Sequence, residues 1–288
     1  MPVETITEDQ ETAASAGFRW LARGPVRALS CDALSRAGFA NAFSTRAGGC
    51  SPFPENDLNL AGFAEDSAAN ISENRRRFLS LFDGRWSLAT GWQEHGTGVC
   101  SVREGDPVPD ARDDERCDAL TTNLPRVLLG VKTADCVPVL LGDTRTGACA
   151  AVHAGWRGTA AGIAAKALVR VGEEYGTRPR DVIAAVGPAA LGCCYEVGPE
   201  VVEIFDSRFA EDAPAIFTPT SAGRALVDLH EANRRQLERA GVLRENIRAA
   251  PFCTMCRTDL FFSYRREKRK HGRTGRLLGV IGRDAEKR

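Results

Sequence analysis

The chain has 288 residues, 43% of them hydrophobic and 26% charged, a balance that excludes a disordered, collagen-like or coiled-coil protein. Lys+Arg and Asp+Glu both number 38, so the formal net charge is zero and bulk charge does not favour nucleic acid as a partner. No apolar run approaches the ~20 residues that span a bilayer.

Residues 1–17 hold Glu4, Glu8, Asp9 and Glu11, no Lys or Arg, and no apolar stretch. They are expected to form a short disordered tail rather than a secretion signal. With no internal repeat and no low-complexity linker, residues 18–288 are expected to form one domain. The ten Cys are irregularly spaced and two are adjacent, Cys193 and Cys194. Reduced thiols and a cytoplasmic location fit them better than a disulfide framework.

Residues 36–49 read as a short strand entering a Gly-rich turn, and residues 70–82 as a helix with a partial apolar stripe of Ile71, Phe78, Leu79 and Phe82. Residues 126–142 are the most apolar stretch and read as strand, kink, strand, with Gly130 and Pro138 inside them. Residues 147–155 read as a buried strand. Residues 159–175 read as one helix, N-capped by Thr159, and residues 181–187 as a strand. Residues 228–240 read as a helix with Asp228 and Glu231 at capping-box spacing and Gly241 as its stop. Strands and helices mix without clean alternation, which favours an α+β fold over a doubly wound sheet.

The four His are His95, His153, His230 and His271. His95 is followed by Gly, and His153 lies two residues before one, so a ligand can approach the backbone closely at both. VPVLLG, DTRT and GACAAVH together read as a hairpin. Pairing Asp143 with Thr146 sets Cys136 opposite His153, on one face and ~5 Å apart at Cβ; a slip of one residue would part them. One Cys with two His is a ligand set for catalytic zinc with an open fourth position. His95 is the third ligand in this reading and His230 the alternative, although Arg234, Arg235 and Arg239 on its helix argue for a solvated face. The plainer reading is a buried structural Cys and satisfied core His.

The segments FSTRAGGCS, NLAGF, WQEHGTGV, DAL, ADCVPVLL, VHAGWRG, GPAALGCCYEVG and FFSYRR…GRTGR occur in this order over about residues 36–281. They closely resemble the YfiH-like family, also called the laccase-domain or multicopper polyphenol oxidase family and, more recently, purine nucleoside phosphorylase. The resemblance implies mixed β-sheets with flanking helices, related to a cysteine-hydrolase toxin fold. It implies His95, Cys136 and His153 as metal ligands, holding one zinc per chain, with copper as the alternative ion. It implies phosphorolysis of adenosine, inosine and guanosine to base and ribose 1-phosphate, phosphorolysis of methylthioadenosine, and deamination of adenosine. The expected partners are a purine nucleoside and phosphate, with no membrane and no nucleic acid, and the expected state is a monomer.

A zinc held there would activate water to attack C6 of adenine, and a carboxylate should shuttle protons. Asp118 is preferred for this over Glu94 and Asp135; Asp135 adjoins Cys136 and would point away in a regular strand. The catalytic set is then Asp118, Cys136 and His153. Phosphorolysis needs a cationic cradle, assigned to Arg46 and Arg157, both beside Gly turns; Arg157 also just precedes a helix N-terminus. Ser44 adds a hydroxyl, and Lys132 shares the strand parity of Cys136. Purely structural roles for both Arg stand against this.

Four His cannot wire a multicopper centre, so copper-dependent polyphenol oxidation is an alternative reading. A metal-free hydrolase with Cys136 as nucleophile and His153 as base is another. An RNA-binding stripe at residues 265–276 is a third. Cys253 and Cys256 form a CxxC with no second half in sequence, so a zinc ribbon is not expected. Only the resemblance places Cys193 and Cys194 in a loop lining the pocket.

Overall fold

The apolar run at 126–142 is where the chain passes from one sheet to another. In a computed structural model describing residues 8–52, 57–61, 66–105, 116–221 and 223–284, the strands in chain order begin with β1 (Phe18–Arg23), β2 (Val26–Cys31), β3 (Phe39–Ser44), β4 (Ser87–Thr90) and β5 (Val99–Ser101). They continue with β6 (Ala119–Thr122), β7 (Val127–Thr133), β8 (Val137–Asp143), β9 (Cys149–Ala154) and β10 (Val182–Val186). The last are β11 (Glu196–Val197), β12 (Phe217–Pro219), β13 (Ala225–Val227), β14 (Ile247–Ala249) and β15 (Leu277–Arg283). The helices used below are α1 (Glu8–Ser15), α2 (Asp32–Arg36), α3 (Ala68–Leu79), α4 (Trp156–Ala160), α5 (Ile163–Tyr175), α6 (Pro199–Phe209), α7 (Ala213–Ile216) and α8 (Leu229–Arg239).

Among the described residues two six-stranded sheets dominate, ordered β1-β2-β3-β15-β7-β4 and β14-β10-β8-β9-β6-β5, beside a small β11-β13-β12 sheet. Both large sheets are mixed: β4 runs parallel to β7, and β14 and β5 run parallel to their neighbours in the second sheet. The α+β class with mixed sheets and flanking helices is what the structure has.

Alternation along the strands builds the layers. Val137, Val139 and Leu141 of β8 share one core with Ile163, Ala167 and Leu168 of α5, a helix that packs on β9 and β6. Leu140, from the same strand, points the other way, into a core with Phe43, Leu129 and Val131 of the first sheet. The far face of the first sheet is covered by Phe78 of α3 and by Phe82. A strand buried on both sides reads as one continuous apolar run, and each such Leu, Val or Phe contributes about 1.5–3 kcal/mol by leaving water.

Four local expectations need correction. The kink falls at residues 134–136, where Asp135 takes a left-handed φ of 85°, while Gly130 and Pro138 lie inside strands. The stretch 159–175 is two helices, broken where Gly162 is left-handed at φ 78°; Thr159 lies inside the first, its hydroxyl accepting from Asn233 at 3.0 Å. From Glu8 the expected tail is helical: α1 buries Ala13 completely, and Arg257 grips both oxygens of Asp9 at 2.5 and 2.9 Å. Residues 1–7 lie outside the described residues.

The fourth is the hairpin register. Pro138, not Cys136, stands opposite His153. Asp143 causes this: its amide bonds Ala148 O at 2.8 Å and its carboxylate accepts from Thr146 Oγ1 at 2.6 Å. The turn is therefore wider than a Asp143–Thr146 pairing allows, and the register moves by two residues. A move of two preserves the face, and Cys136, in the kink just before β8, still brings its thiol beside His153. No helix of the described residues is long and apolar enough to cross a membrane.

Candidate metal centre

Three segments converge at the end of β9. His153 is buried on that strand. Asp118 opposes it on the neighbouring chain, one residue before β6, continuing the register that pairs Ala119 with Val152. The pairing is double: His153 N donates to Asp118 O at 2.7 Å, and His153 Nδ1 lies 2.8 Å from Asp118 Oδ1. With Nδ1–H donating to the carboxylate, Nε2 is the atom left to ligate.

The same carboxylate shapes the residue 94–96 turn. Its oxygens accept from His95 N at 3.0 Å, Gly96 N at 2.6 Å and Glu94 N at 3.4 Å. His95 is held there at φ 63°, a left-handed conformation unusual for a residue with a side chain. Such strain persists where surrounding bonds over-determine it, and it clusters at functional sites. The His95 and His153 rings meet edge to face, 4.8 Å between centroids.

Cys136 completes the group from the crossing between sheets. One ligand atom each from His95, Cys136 and His153 lie within 4.8 Å of one another. Tetrahedral zinc with N and S ligands places donor atoms about 3.3–3.8 Å apart, so a small contraction brings all three onto one cation. Room for it is kept by Gly155, where a Cβ would stand 2.9 Å from the His95 ring and 3.1 Å from Cys136 Sγ.

The charges favour ligation. Burial alone would raise the Cys136 thiol, but the charge and hydrogen bonds of His153, helped by His95, bring it down to about 6. Burial disfavours the His153 imidazolium, yet Cys136 and Asp118 push it up to about 9. The pair is thus a thiolate beside a protonated imidazole, and a cation displacing that proton finds a formed thiolate.

Asp118 does not fit the expected proton shuttle. It is fully buried and its oxygens already accept the four bonds above. Burial would raise it, but the bonds from His153, Gly96 and His95 hold it below the usual carboxylate range. It orients the His153 ring and touches no open space. Asp135 is equally enclosed, accepting from Thr254 Oγ1 at 2.7 Å, Ser263 Oγ at 3.0 Å and Arg265 N at 2.7 Å. Glu94, exposed beside His95 and 3.6 Å from Arg116, is the one of the three carboxylates that faces solvent.

The expected cradle is divided. Arg46 is buried and bound to Asp57 by Nε at 3.1 Å and a terminal nitrogen at 2.8 Å, and to Glu267 and Thr258 O at 2.8 and 2.7 Å. Phe262 lies under its guanidinium. Four of its five N–H donors are so used and two carboxylates neutralise it, which leaves a poor phosphate cradle. Ser44 is buried in the first sheet, its hydroxyl taken by Leu278 N at 2.9 Å. Lys132 reaches Gly91 O at 3.0 Å, because strand parity does not survive the kink at Asp135. His230 is buried rather than solvated, bound to Gly187 O at 2.8 Å, and does not join the group. Arg157 is exposed and lies over the Trp156 ring at 4.3 Å, in a helix of only five residues.

Tyr195 escaped sequence reasoning, although it lies inside a quoted motif, and Arg265 figures there only as the first residue of the basic stretch 265–276. Tyr195 of GCCYEVG is buried, and its hydroxyl is pushed up to about 12, first by burial and further by Cys136 and Asp135, against Arg265 and Arg157. Arg265 of FFSYRR stacks over the Tyr195 ring at 4.7 Å. The basic stretch at 265–276 is no continuous stripe, since Glu267 is buried on Arg46; its Lys268, Arg273 and Arg276 wall a cavity of about 470 Å³.

A family described as multi-copper polyphenol oxidoreductase laccase matches residues 40–284. Purine nucleoside phosphorylase YlmD of Geobacillus stearothermophilus is 36% identical over 276 residues, covering 93% of this chain and 98% of that protein. Adenosine deaminase RL5, from an unknown prokaryotic organism, is 36% identical over 222 residues, 75% of this chain and 84% of that one. The crystal structure of YlmD from G. stearothermophilus superposes with a TM-score of 0.84 at 35% identity, covering 93% of this chain and 99% of that one.

Proposed function

The chain belongs to the YfiH-type family of multi-copper polyphenol oxidoreductase laccase proteins, and on that premise we propose that it is a zinc-dependent purine nucleoside phosphorylase. Its substrates in this reading are adenosine, inosine, guanosine and methylthioadenosine, with adenosine deamination as a second activity. The observation that carries the reading is the convergence of His95, Cys136 and His153 within 4.8 Å, with Asp118 fixing the His153 ring. The names of the relatives above supply the substrate class.

Bound zinc would supply Lewis acidity at an open fourth position. The protein's own groups do the rest. In phosphorolysis the C1′–N9 bond breaks as an oxygen of hydrogen phosphate bonds C1′, and the proton that the phosphate gives up passes to the departing purine. Arg265, stacked over Tyr195, and Arg157, exposed over Trp156, offset the charge of the phosphate. Glu94, exposed and next to a ligand, carries the proton.

Purified wild type and His153→Ala would be compared for zinc content and for inosine cleavage with and without phosphate. The expected result is cleavage only with phosphate, and loss of both cleavage and one zinc equivalent in His153→Ala. Phosphate-independent turnover, or none, overturns the reading. The thiolate and imidazolium pairing of Cys136 with His153 favours one second reading, a metal-free Cys/His hydrolase; activity that survives a chelator but not iodoacetamide would select it. Multicopper oxidation needs more imidazoles than four His provide.

A further inference from the structure

The CxxC that is solitary in sequence has its second half in space. Cys193 and Cys194 follow β10, and Cys253 and Cys256 follow β14, its parallel neighbour. The two chains stay together beyond the strands: Ala189 bridges Cys253, and Thr254 N donates to Ala189 O at 2.9 Å. Each then folds into a tight turn, Cys194 N bonding Leu191 O at 3.0 Å and Arg257 N bonding Cys253 O at 2.9 Å. The turns aim four thiols at one point. All four Sγ lie within 4.8 Å of one another; Cys256 is 3.7 Å from Cys193 and 3.1 Å from Cys194.

Sulfurs around a tetrahedral zinc, each at about 2.3 Å, stand about 3.8 Å apart, and the measured spread brackets that value. Cys253 is buried, while Cys193 and Cys256 are exposed and open onto a cavity of about 580 Å³ that Glu8 and Asp9 help to line. That gives an entry path.

We propose that Cys193, Cys194, Cys253 and Cys256 form a second metal site, a closed tetrathiolate that takes zinc and is structural rather than catalytic. It staples the turn bearing Tyr195 to the turn bearing Thr254. Thr254 holds Asp135, and Asp135 O accepts from Ala190 N at 2.9 Å, so both stapled turns support the backbone next to Cys136. The chain then holds two zinc ions rather than the single one expected from sequence. The site stands apart from the nucleoside reading and does not require it.

The test is metal content and cobalt spectroscopy on the full chain, purified under reducing conditions. Wild type should hold two zinc equivalents, Cys136→Ser one, and the Cys193→Ser/Cys256→Ser double variant one. With cobalt, an intense thiolate-to-metal charge-transfer band should persist in Cys136→Ser and fall, in the double variant, to the weaker band of the single Cys136 thiolate. Should the double variant fail to fold, Cys256→His, which keeps a ligand, should retain the second equivalent with a weakened band. Equal metal content in wild type and a folded double variant overturns the site. So does a chain whose four thiols all react with alkylating agent while zinc is bound at one equivalent. A second zinc in a chain inactive on inosine would leave this site standing and sink only the nucleoside reading.

Discussion

At residue scale the centre depends on what is absent as much as on what is present. Gly155 follows the last residue of β9, just beyond the Val137–Ala154 pair of the hairpin, and a methyl there would lie inside contact distance of both His95 and Cys136. Neither neighbour can retreat: Asp118 pins His95, and Cys136 follows the left-handed Asp135. On the zinc reading, Gly155→Ala should therefore lower metal affinity at this site, read as a loss of bound metal on dialysis, with little change in far-ultraviolet circular dichroism. Asp118→Asn separates two roles for that side chain. As the group that orients His153, its loss should weaken metal affinity about 10–100-fold. A proton shuttle would instead leave metal content intact and lower only kcat. Glu94→Gln should do the latter, cutting kcat about 10²–10⁴-fold while zinc stays bound.

Elements show why some of this was legible and some was not. A period of two tells which face a strand residue takes, so Cys136 and His153 could be placed together even with the register two residues off. The turn that set the register depends on how the Asp143 carboxylate folds back on Thr146, and spacing alone does not reveal that. Asp118 and His153 are 35 positions apart, and their pairing appears only once β6 lies beside β9. The helix at 229–239 was readable because its signals are local, and Asp228 does cap it, accepting from Glu231 N at 3.0 Å. The reciprocal half of the capping box is missing, since Glu231 turns to Arg234 and Arg235. Burial alone would raise Glu231, but those two Arg hold it below its ordinary value. A carboxylate lowered on folding adds stability that is fully present above its unfolded value of about 4.3 and is lost as pH falls through the folded value. Glu231→Gln should thus destabilise the protein at pH 7, with the gap to wild type closing as pH falls below about 4. Urea midpoints at stepped pH measure this, and a gap constant from pH 7 to 3 would refute the linkage.

Across the whole molecule, Arg46 joins parts that the sequence keeps far apart. It carries the chain from the end of β3 to Asp57 and, 221 positions away, to Glu267, in a buried triad of one cation and two carboxylates. Nothing in STRAGG distinguishes this fork from Arg157 in GWRG, because both sit beside Gly turns and their partners lie elsewhere in the chain. The outcome differs because Asp57 and Glu267 meet Arg46 where water is excluded, while Arg157 stays exposed over Trp156. Burial raises Asp57, and the bonds from Arg46 only partly offset it, so the carboxylate depends on its cation. Removing one partner of a buried pair leaves uncompensated charge and costs about 3–5 kcal/mol. Arg46→Ala should lower unfolding stability by that order, and Arg46→Met, which refills the volume without the charge, should recover little, since both carboxylates remain. A phosphate-binding Arg46 would show the reverse pattern, a raised KM for phosphate with the denaturation midpoint unmoved. Denaturant titration beside phosphate kinetics on one preparation separates the two, and the stability loss should appear whether or not any nucleoside is turned over.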